Sequence, residues 1–163
     1  MNMKIDSGSP GWQDRHTRLY IETDGVMGHL VDSEGGFSNT SCLILKTIGR
    51  RSGEAKLLPL IYGKDGDRFV IVASKGGAPK HPAWFLNLEA NPDVEFQVAD
   101  KKYRGVAHVT QGAERDRLFK MMADAFPNYN AYKAKTDREI PVVVLEPQGE
   151  IERLTQPKAA ASE

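Results

Sequence analysis

The feature that most constrains the fold of this chain is a series of short apolar runs separated by turn residues. Six runs of five to seven residues follow residue 41, and each suits a strand better than a helix. They cover residues 42–48, 57–62, 69–73, 94–98, 103–109 and 140–145. This series predicts a mainly β protein with added helices, an α+β fold in which about six antiparallel strands form a closed sheet.

Two positions among these runs predict details of the sheet. The sequence Asp-Gly-Asp at residues 65–67 is typical of a tight connection between two antiparallel strands, here the second and third runs. Pro59 lies inside the second run, although proline is tolerated only at an edge or an irregularity of a sheet. Pro59 is therefore a candidate for the place where the sheet opens for a ligand.

The remaining segments predict three helices, a loop and two loosely held ends. Helices are expected over residues 12–21, 82–90 and 113–126, where proline, glycine and apolar spacing suggest starts, stops and a buried face. Four glycines in residues 25–41 predict a loop. Residues 1–10 and 155–163 are polar, small or helix-breaking, so they are expected to be flexible tails of a single domain covering 1–163.

Composition excludes several classes of function. Twenty-two basic residues balance twenty-two acidic ones, so no overall charge attracts nucleic acid or an anionic membrane. Cys42 is the single cysteine, which excludes an internal disulfide and fits a reducing compartment such as the cytoplasm. The N-terminal segment has no long apolar run, so neither a signal peptide nor a membrane-spanning helix is predicted.

Two basic, glycine-containing turns predict a site for an anion. Residues 49–53 and 74–77 each follow an apolar run, so backbone N–H groups and cationic side chains lie together at strand ends. Antiparallel pairing could bring four cations to one rim, namely Arg50, Arg51, Lys56 and Lys75. The alternative is that these are ordinary solvated surface charges, as short charged turns usually are.

Other candidate residues have similar alternatives. Ser74 could bind a ligand or simply form the turn, and Trp84 could line a ring or serve as a core anchor. Tyr129 and Tyr132 are three residues apart, so on a helical turn they would share one face, either toward a pocket or toward the core. The four histidines are scattered singly and no pair of carboxylates stands out, so no metal site is predicted.

Taken in order, several segments resemble the deazaflavin-dependent nitroreductases of actinobacteria. The resemblance rests on residues 46–53, 72–78, 82–85, 88–92 and 140–147, and it extends from about residue 20 to residue 147. It implies a split β-barrel related to flavin reductases. It also implies coenzyme F420, a reduced 8-hydroxy-5-deazaflavin with an anionic tail, as the hydride donor to an activated alkene, a quinone or a nitroaromatic ring.

The resemblance also implies roles for particular residues. The phosphate and tail of the coenzyme would be held by Arg50, Arg51, Ser52 and Lys56. The ring would be wrapped by Ser74, Lys75, Gly76, Gly77 and Ala78 and lined by Pro82 and Trp84. Tyr129, Tyr132 and Ser74 are the implied catalytic residues, because a phenol near the acceptor could supply a hydrogen bond or a proton.

Two other functions fit the same sequence. One is an FMN- or FAD-dependent reductase on the same barrel, and the other is a carrier that binds a flavin-like or lipid ligand without turnover. The first helix could cover the pocket or contact a membrane that carries a quinone. The sequence leaves the oligomeric state open.

Overall fold

A mixed sheet of nine strands and four helices makes up the computed structural model, which describes residues 2–34 and 36–155. The strands are β1 (Met3–Ile5), β2 (Leu30–Ser33), β3 (Thr40–Ile48), β4 (Ala55–Ile61), β5 (Gly63–Asp65), β6 (Arg68–Val72), β7 (Asp93–Val98), β8 (Lys101–Val109) and β9 (Val142–Glu150). The helices are α1 (Trp12–Glu22), α2 (Ala83–Ala90), α3 (Gly112–Ala125) and α4 (Asn128–Ala134).

The sheet curls into a barrel that is open along one side. Its strand order is β1-β2-β3-β7-β8-β9-β6-β5, and β4 pairs with the other flank of β3. All pairs are antiparallel except β1 with β2. Within the described residues, β4 and β6 face each other with no ladder of hydrogen bonds between them. The fold is therefore the split barrel that the resemblance implied.

Pro59 lies where the sequence predicted an edge. It pairs with Ile44 of β3, and β4 has no second strand beside it in the described part of the chain. Proline is tolerated in such an edge strand because only one of its two flanks carries a ladder of hydrogen bonds. The cavity described below is lined by Pro59, so the expected opening of the sheet is found at this strand.

The alternation of side chains along β6 explains how the helices are placed. Phe69 and Ile71 point into the barrel core, which α2 closes with Trp84, Phe85 and Leu88. On the opposite face of β6, Val70 and Val72 pack against apolar residues of α3 and α4. The 74–78 turn, which we define as Ser74 to Ala78, follows β6, precedes α2 in the chain and contacts α4.

The six predicted strands are confirmed, and three further strands are present. The structure adds β1, β2 and β5, each three or four residues long. The turn at residues 65–67 is a hairpin as expected, but it joins β5 to β6, whereas β4 pairs with β3. The break between β4 and β5 at Tyr62 is what separates these two pairings.

The expectations for the N-terminal region and for the loop are partly wrong. Met3 and Ile5 are buried in strand β1, so residues 3–5 are not a loose tail. Residues 30–33 of the predicted loop form β2, which pairs with both β1 and β3. At the other end, Thr155 binds the Glu95 carboxylate, while residues 156–163 lie outside the described residues. The assignment of the whole chain to one domain stays a prediction.

Candidate functional site

Two neighbouring depressions contain most of the residues that the sequence singled out. We call the first, of about 420 Å³, the aromatic cavity, and it lies at the open side of the barrel. The second, of about 440 Å³, is here the basic cleft, and it lies beside the loop that joins β3 to β4. Leu58, Ala83 and Trp84 line both depressions. A single elongated ligand could therefore contact both, with Trp84 between its two ends.

The basic cleft is built on the first glycine-containing turn. It is lined by Arg50, Arg51, Ser52 and Lys56, and all four are exposed. The turn is closed on itself by a hydrogen bond from the Gly53 N–H to the Gly49 carbonyl, at 2.8 Å. Lys56 also pairs loosely with Glu54, at 3.6 Å. Three cations against one carboxylate leave the cleft with an excess of positive charge, which suits an anionic group.

A residue that the sequence did not indicate anchors this turn. The Oδ1 atom of buried Asn87 accepts hydrogen bonds from the Arg50 backbone N–H at 3.1 Å and from its guanidinium at 3.0 Å. Its amide nitrogen donates to the Thr47 hydroxyl at 3.4 Å. The only signal in the sequence was an amide side chain between two leucines of the mostly apolar helix α2. Asn87 thereby fixes the turn relative to that helix.

The 74–78 turn forms one wall of the aromatic cavity. Ser74, Lys75 and Gly76 line the cavity, and so does Pro82, which caps the N-terminus of α2. Gly77 instead packs against α4, where the Tyr132 carbonyl lies 2.6 Å from the position that a Cβ atom would occupy. The Ala78 carbonyl accepts a hydrogen bond from Arg138. The predicted group of five is therefore divided, with three residues at the cavity and two behind it.

The two tyrosines of α4 both line the aromatic cavity. Tyr129 is 4% exposed, and its ring contacts Phe126 and Tyr132 at centroid distances of 5.1 and 6.1 Å. Among the described residues, the Tyr129 phenol has no hydrogen-bond partner. Burial raises the pKa of this phenol above its ordinary value, so it keeps its proton at neutral pH. It is thus a buried donor that faces a space large enough for a ligand.

The N-terminal region supplies further walls of the cavity. Trp12, Gln13 and His16 of α1 line it, together with Phe37, whose ring stacks on Phe126 at 5.7 Å. Helix α1 packs over the edge strand β4. The sequence had left two roles open for this helix, a cover of the pocket or a contact with a membrane, and the structure places it at the pocket.

The described residues offer no group of three or more His, Cys, Asp or Glu side chains that could hold a metal ion. None of their helices is long and apolar enough to cross a bilayer.

An open barrel with a cationic cleft beside an aromatic cavity defines the class of flavin-reductase-like split-barrel proteins. A sequence model described as F420H(2)-dependent quinone reductase matches residues 12–147. This chain belongs to that family. The match confirms the resemblance to deazaflavin-dependent reductases, and it names a quinone, which is one of the three acceptors that the resemblance implied.

Individual relatives agree with this assignment. An F420H(2)-dependent quinone reductase of Mycobacterium tuberculosis is 38% identical over 133 residues, which are 80% of this chain and 86% of that protein. A solved F420-H2 dependent reductase has 40% identity and a TM-score of 0.61, with 64% of this chain and 93% of that chain covered. A second solved chain, a domain-swapped dimer, has 34% identity and a TM-score of 0.63, with 82% and 95% covered.

Proposed function

We propose that this protein transfers a hydride from reduced coenzyme F420 to a quinone. When bound, the coenzyme supplies the hydride, and the quinone becomes a hydroquinone once protons complete the two hydroxyl groups. The observation that carries the proposal is that the basic cleft and the aromatic cavity are adjacent and share Trp84 as a lining residue. A coenzyme with an anionic tail and a flat ring needs a cationic surface for the tail and a largely apolar cavity for the ring.

The residues of the basic cleft would bind the tail. Arg50 and Arg51 offer planar forks suited to phosphate and carboxylate oxygens, and Lys56 adds a mobile charge. Ser52 adds a hydroxyl on the same turn. Because these side chains are exposed, each contributes modestly, and salt should weaken the binding they provide.

The residues of the aromatic cavity would bind the ring and the acceptor. Pro82 and Trp84 offer apolar surface, while Ser74, Lys75 and Gly76 offer polar groups along one wall. The Tyr129 phenol would donate a hydrogen bond to the acceptor oxygen that gains charge, and Tyr132 lies beside it as a second phenol. Such groups orient the reactants and stabilise developing charge.

The test is a direct comparison of coenzymes and acceptors. Trp84 lies between the two depressions, so bound coenzyme should quench the tryptophan fluorescence. We expect saturable quenching by oxidised F420 and weaker or no quenching by FMN or FAD. With reduced F420, quinones should be reduced faster than enones or nitroaromatic compounds. Tighter binding of FMN would favour a flavin reductase, and binding without turnover of any acceptor would favour a carrier.

A double variant tests the basic cleft. Replacing Arg51 and Lys56 with alanine should weaken binding of F420 at least several-fold, because charge-assisted hydrogen bonds to the anionic tail are lost, while solvent screening keeps the contribution of each exposed side chain modest. The matched control replaces Lys101 and Lys120, which are exposed and lie outside both depressions. Equal affinities of the two double variants would remove the proposed tail site.

The proposal includes a location for the protein. A cytoplasmic enzyme that meets its quinone at a membrane surface fits a single buried thiol and a cavity partly walled by α1. Whether α1 contacts lipid can be measured by sedimentation with vesicles.

A further inference from the structure

The backbone of the 74–78 turn has a conformation that gathers N–H groups. Ser74 has right-handed helical angles, with φ −78° and ψ −37°, whereas Lys75 has a left-handed φ of 46°. A right-handed residue followed by a left-handed one forms a nest, in which successive N–H groups point into one concavity. Here the three N–H groups belong to Ser74, Lys75 and Gly76.

These three N–H groups are not used inside the protein. The next two, of Gly77 and Ala78, donate to the carbonyls of Ser74 and Lys75, at 2.9 and 3.1 Å. Within residues 2–34 and 36–155, no acceptor is found for the N–H groups of Ser74, Lys75 or Gly76. All three residues line the aromatic cavity, and Ser74 is buried. Lys75 and Gly76 are exposed, so water can serve their N–H groups in the free protein, whereas the N–H group of buried Ser74 normally has a partner. An acceptor atom of a ligand in the cavity would replace that water and meet all three donors.

Arg138 holds the turn from behind. Its guanidinium donates to the carbonyls of Ala73 at 3.2 Å, Ser74 at 2.8 Å and Ala78 at 2.9 Å. A fourth contact joins it to His81 Nδ1, at 3.0 Å. It forms no salt bridge with any described carboxylate, so its charge acts on these carbonyls without a counter-charge beside it.

The geometry of the peptide group links these contacts to the nest. In a trans peptide the C=O and N–H bonds point in opposite directions, so fixing one fixes the other. The carbonyls of Ala73 and Ser74 belong to the same peptide units as the N–H groups of Ser74 and Lys75. Because both carbonyls are bound to Arg138, both N–H groups point away from it. A cation bound to a carbonyl also polarises the peptide and makes its N–H a stronger donor.

We propose that Arg138 is a positioning residue that fixes and polarises the N–H groups of Ser74 and Lys75, which with that of Gly76 form a binding site for an electron-rich oxygen. This inference rests on the proposed function. Two molecules could supply the oxygen: a carbonyl of the coenzyme ring, or the oxygen of the acceptor that becomes negative as the hydride arrives. Arg138 itself touches neither, since it lies on the far side of the turn from the nest.

The first experiment uses the unaltered protein. In a ¹⁵N-labelled sample titrated with oxidised F420, and then with F420 and a quinone, the amide signals of Ser74, Lys75 and Gly76 should move downfield more than those of Gly77 and Ala78. If the protein does not bind F420, the proposed function fails. If it binds F420 and neither addition moves these three amides more than the other two, the present inference fails alone.

The second experiment compares two arginines that bind carbonyls. Arg138→Lys keeps the charge but loses the planar fork, and Arg138→Met removes both. Arg115→Lys is the matched control, because Arg115 is buried and donates twice to the Ile140 carbonyl but lies outside both depressions. Binding of F420 and kcat with saturating coenzyme are measured for each variant after thermal unfolding has shown that it is folded.

The outcome also identifies the source of the oxygen. A rise in the Kd of oxidised F420 by about tenfold corresponds to the loss of roughly one charge-assisted hydrogen bond. It would show that the coenzyme supplies the oxygen that binds the nest. An unchanged Kd with a similar fall in kcat assigns it to the acceptor. In either case ethylguanidinium should partly restore a third variant, Arg138→Ala, in which the side chain leaves room for it. Unchanged values in both Arg138 variants, or an equal loss in Arg115→Lys, would overturn the inference.

Discussion

At the scale of single residues, the aromatic cavity contains two weak acids that are both held in their protonated forms. Burial raises the pKa of Tyr129 above its ordinary value and raises that of the Cys42 thiol to about 12. The raised pKa has different consequences for the two groups, because one is a phenol and the other is a thiol. A protonated phenol is a useful hydrogen-bond donor, whereas a protonated thiol is a poor nucleophile.

Tyr129→Phe should lower kcat for quinone reduction by about 10²-fold, the smaller end of what a positioned acid contributes, with a lesser effect on F420 binding. The reason is that the variant keeps the ring and its packing but removes the donor. Steady-state kinetics would measure the change. Tyr103→Phe is the control, since Tyr103 packs against the barrel core away from the cavity. Equal kcat values for both variants would contradict a role for the Tyr129 phenol.

Cys42 should resist alkylation in the folded protein. With a pKa of about 12, the thiolate fraction at neutral pH is on the order of 10⁻⁵. We expect iodoacetamide to label the native protein hardly at all within a time that labels the urea-unfolded protein fully, as measured by mass spectrometry. The same property keeps the thiol from adding to electrophilic quinones in the cavity that it lines. Rapid labelling of the native protein would show that the thiol is accessible and ionised.

At the scale of elements, the sequence predicted the strands that carry the barrel core and missed those without an apolar run. The run at residues 42–48 became β3 because its side chains are buried on both faces. Strand β5 has only three residues, and one of them is glycine, so it has no pattern of its own and exists because β6 pairs with it. Tertiary pairing can impose a strand that local preference does not indicate.

The candidate site also contains residues that the sequence predicted and residues that it missed. The basic turn and the two tyrosines were predictable because charge, glycine and spacing are visible in the sequence. Asn87 and Arg138 were not, since they act through hydrogen bonds to residues 37 and 60 positions away. No local pattern records which carbonyl a distant side chain will reach.

The junction of the 74–78 turn with α4 should be sensitive to a single methyl group. Gly77 has a φ of 83°, and an added Cβ would lie 2.6 Å from the Tyr132 carbonyl oxygen. Gly76 has a similar φ of 64°, but nothing lies within 4 Å of its Cβ position. Both alanine variants carry the backbone cost of about 1–2 kcal/mol, and Gly77→Ala adds a steric cost.

We therefore expect Gly77→Ala to lower the free energy of unfolding clearly more than Gly76→Ala does, as measured by urea denaturation. Equal losses would indicate that α4 can move away from the turn without cost.

At the scale of the whole molecule, the N-terminal region is attached to the barrel by buried polar contacts. His16 is 1% exposed, its Nε2 atom is 2.8 Å from the Gly28 carbonyl, and its Nδ1 atom has no partner among the described residues. Tyr20 adds a hydrogen bond from its phenol to the Cys42 carbonyl, at 2.8 Å. The ring of His16 thus fits in its neutral form, and burial lowers its pKa.

The lowered pKa of His16 predicts loss of stability in mild acid. Its folded pKa lies below the value of 6.5 that it has when unfolded, so below pH 6.5 the unfolded state binds the proton more readily. The stabilisation that neutral His16 gives the folded state is complete above pH 6.5, and it declines as the pH falls toward the folded pKa. His16→Gln should flatten this part of the curve of unfolding free energy against pH. If the slopes of the variant and the unaltered protein coincide, His16 does not cause the acid sensitivity.

Pro59 has a consequence for how molecules enter. Lacking an amide hydrogen at its centre, β4 is a poor template for another strand, whether from β6 or from a second copy of the chain. The gap in the barrel is thus present before a ligand arrives. Ligands on that side should meet an opening that already exists, and the positive charge of the basic cleft should speed the arrival of anionic ones.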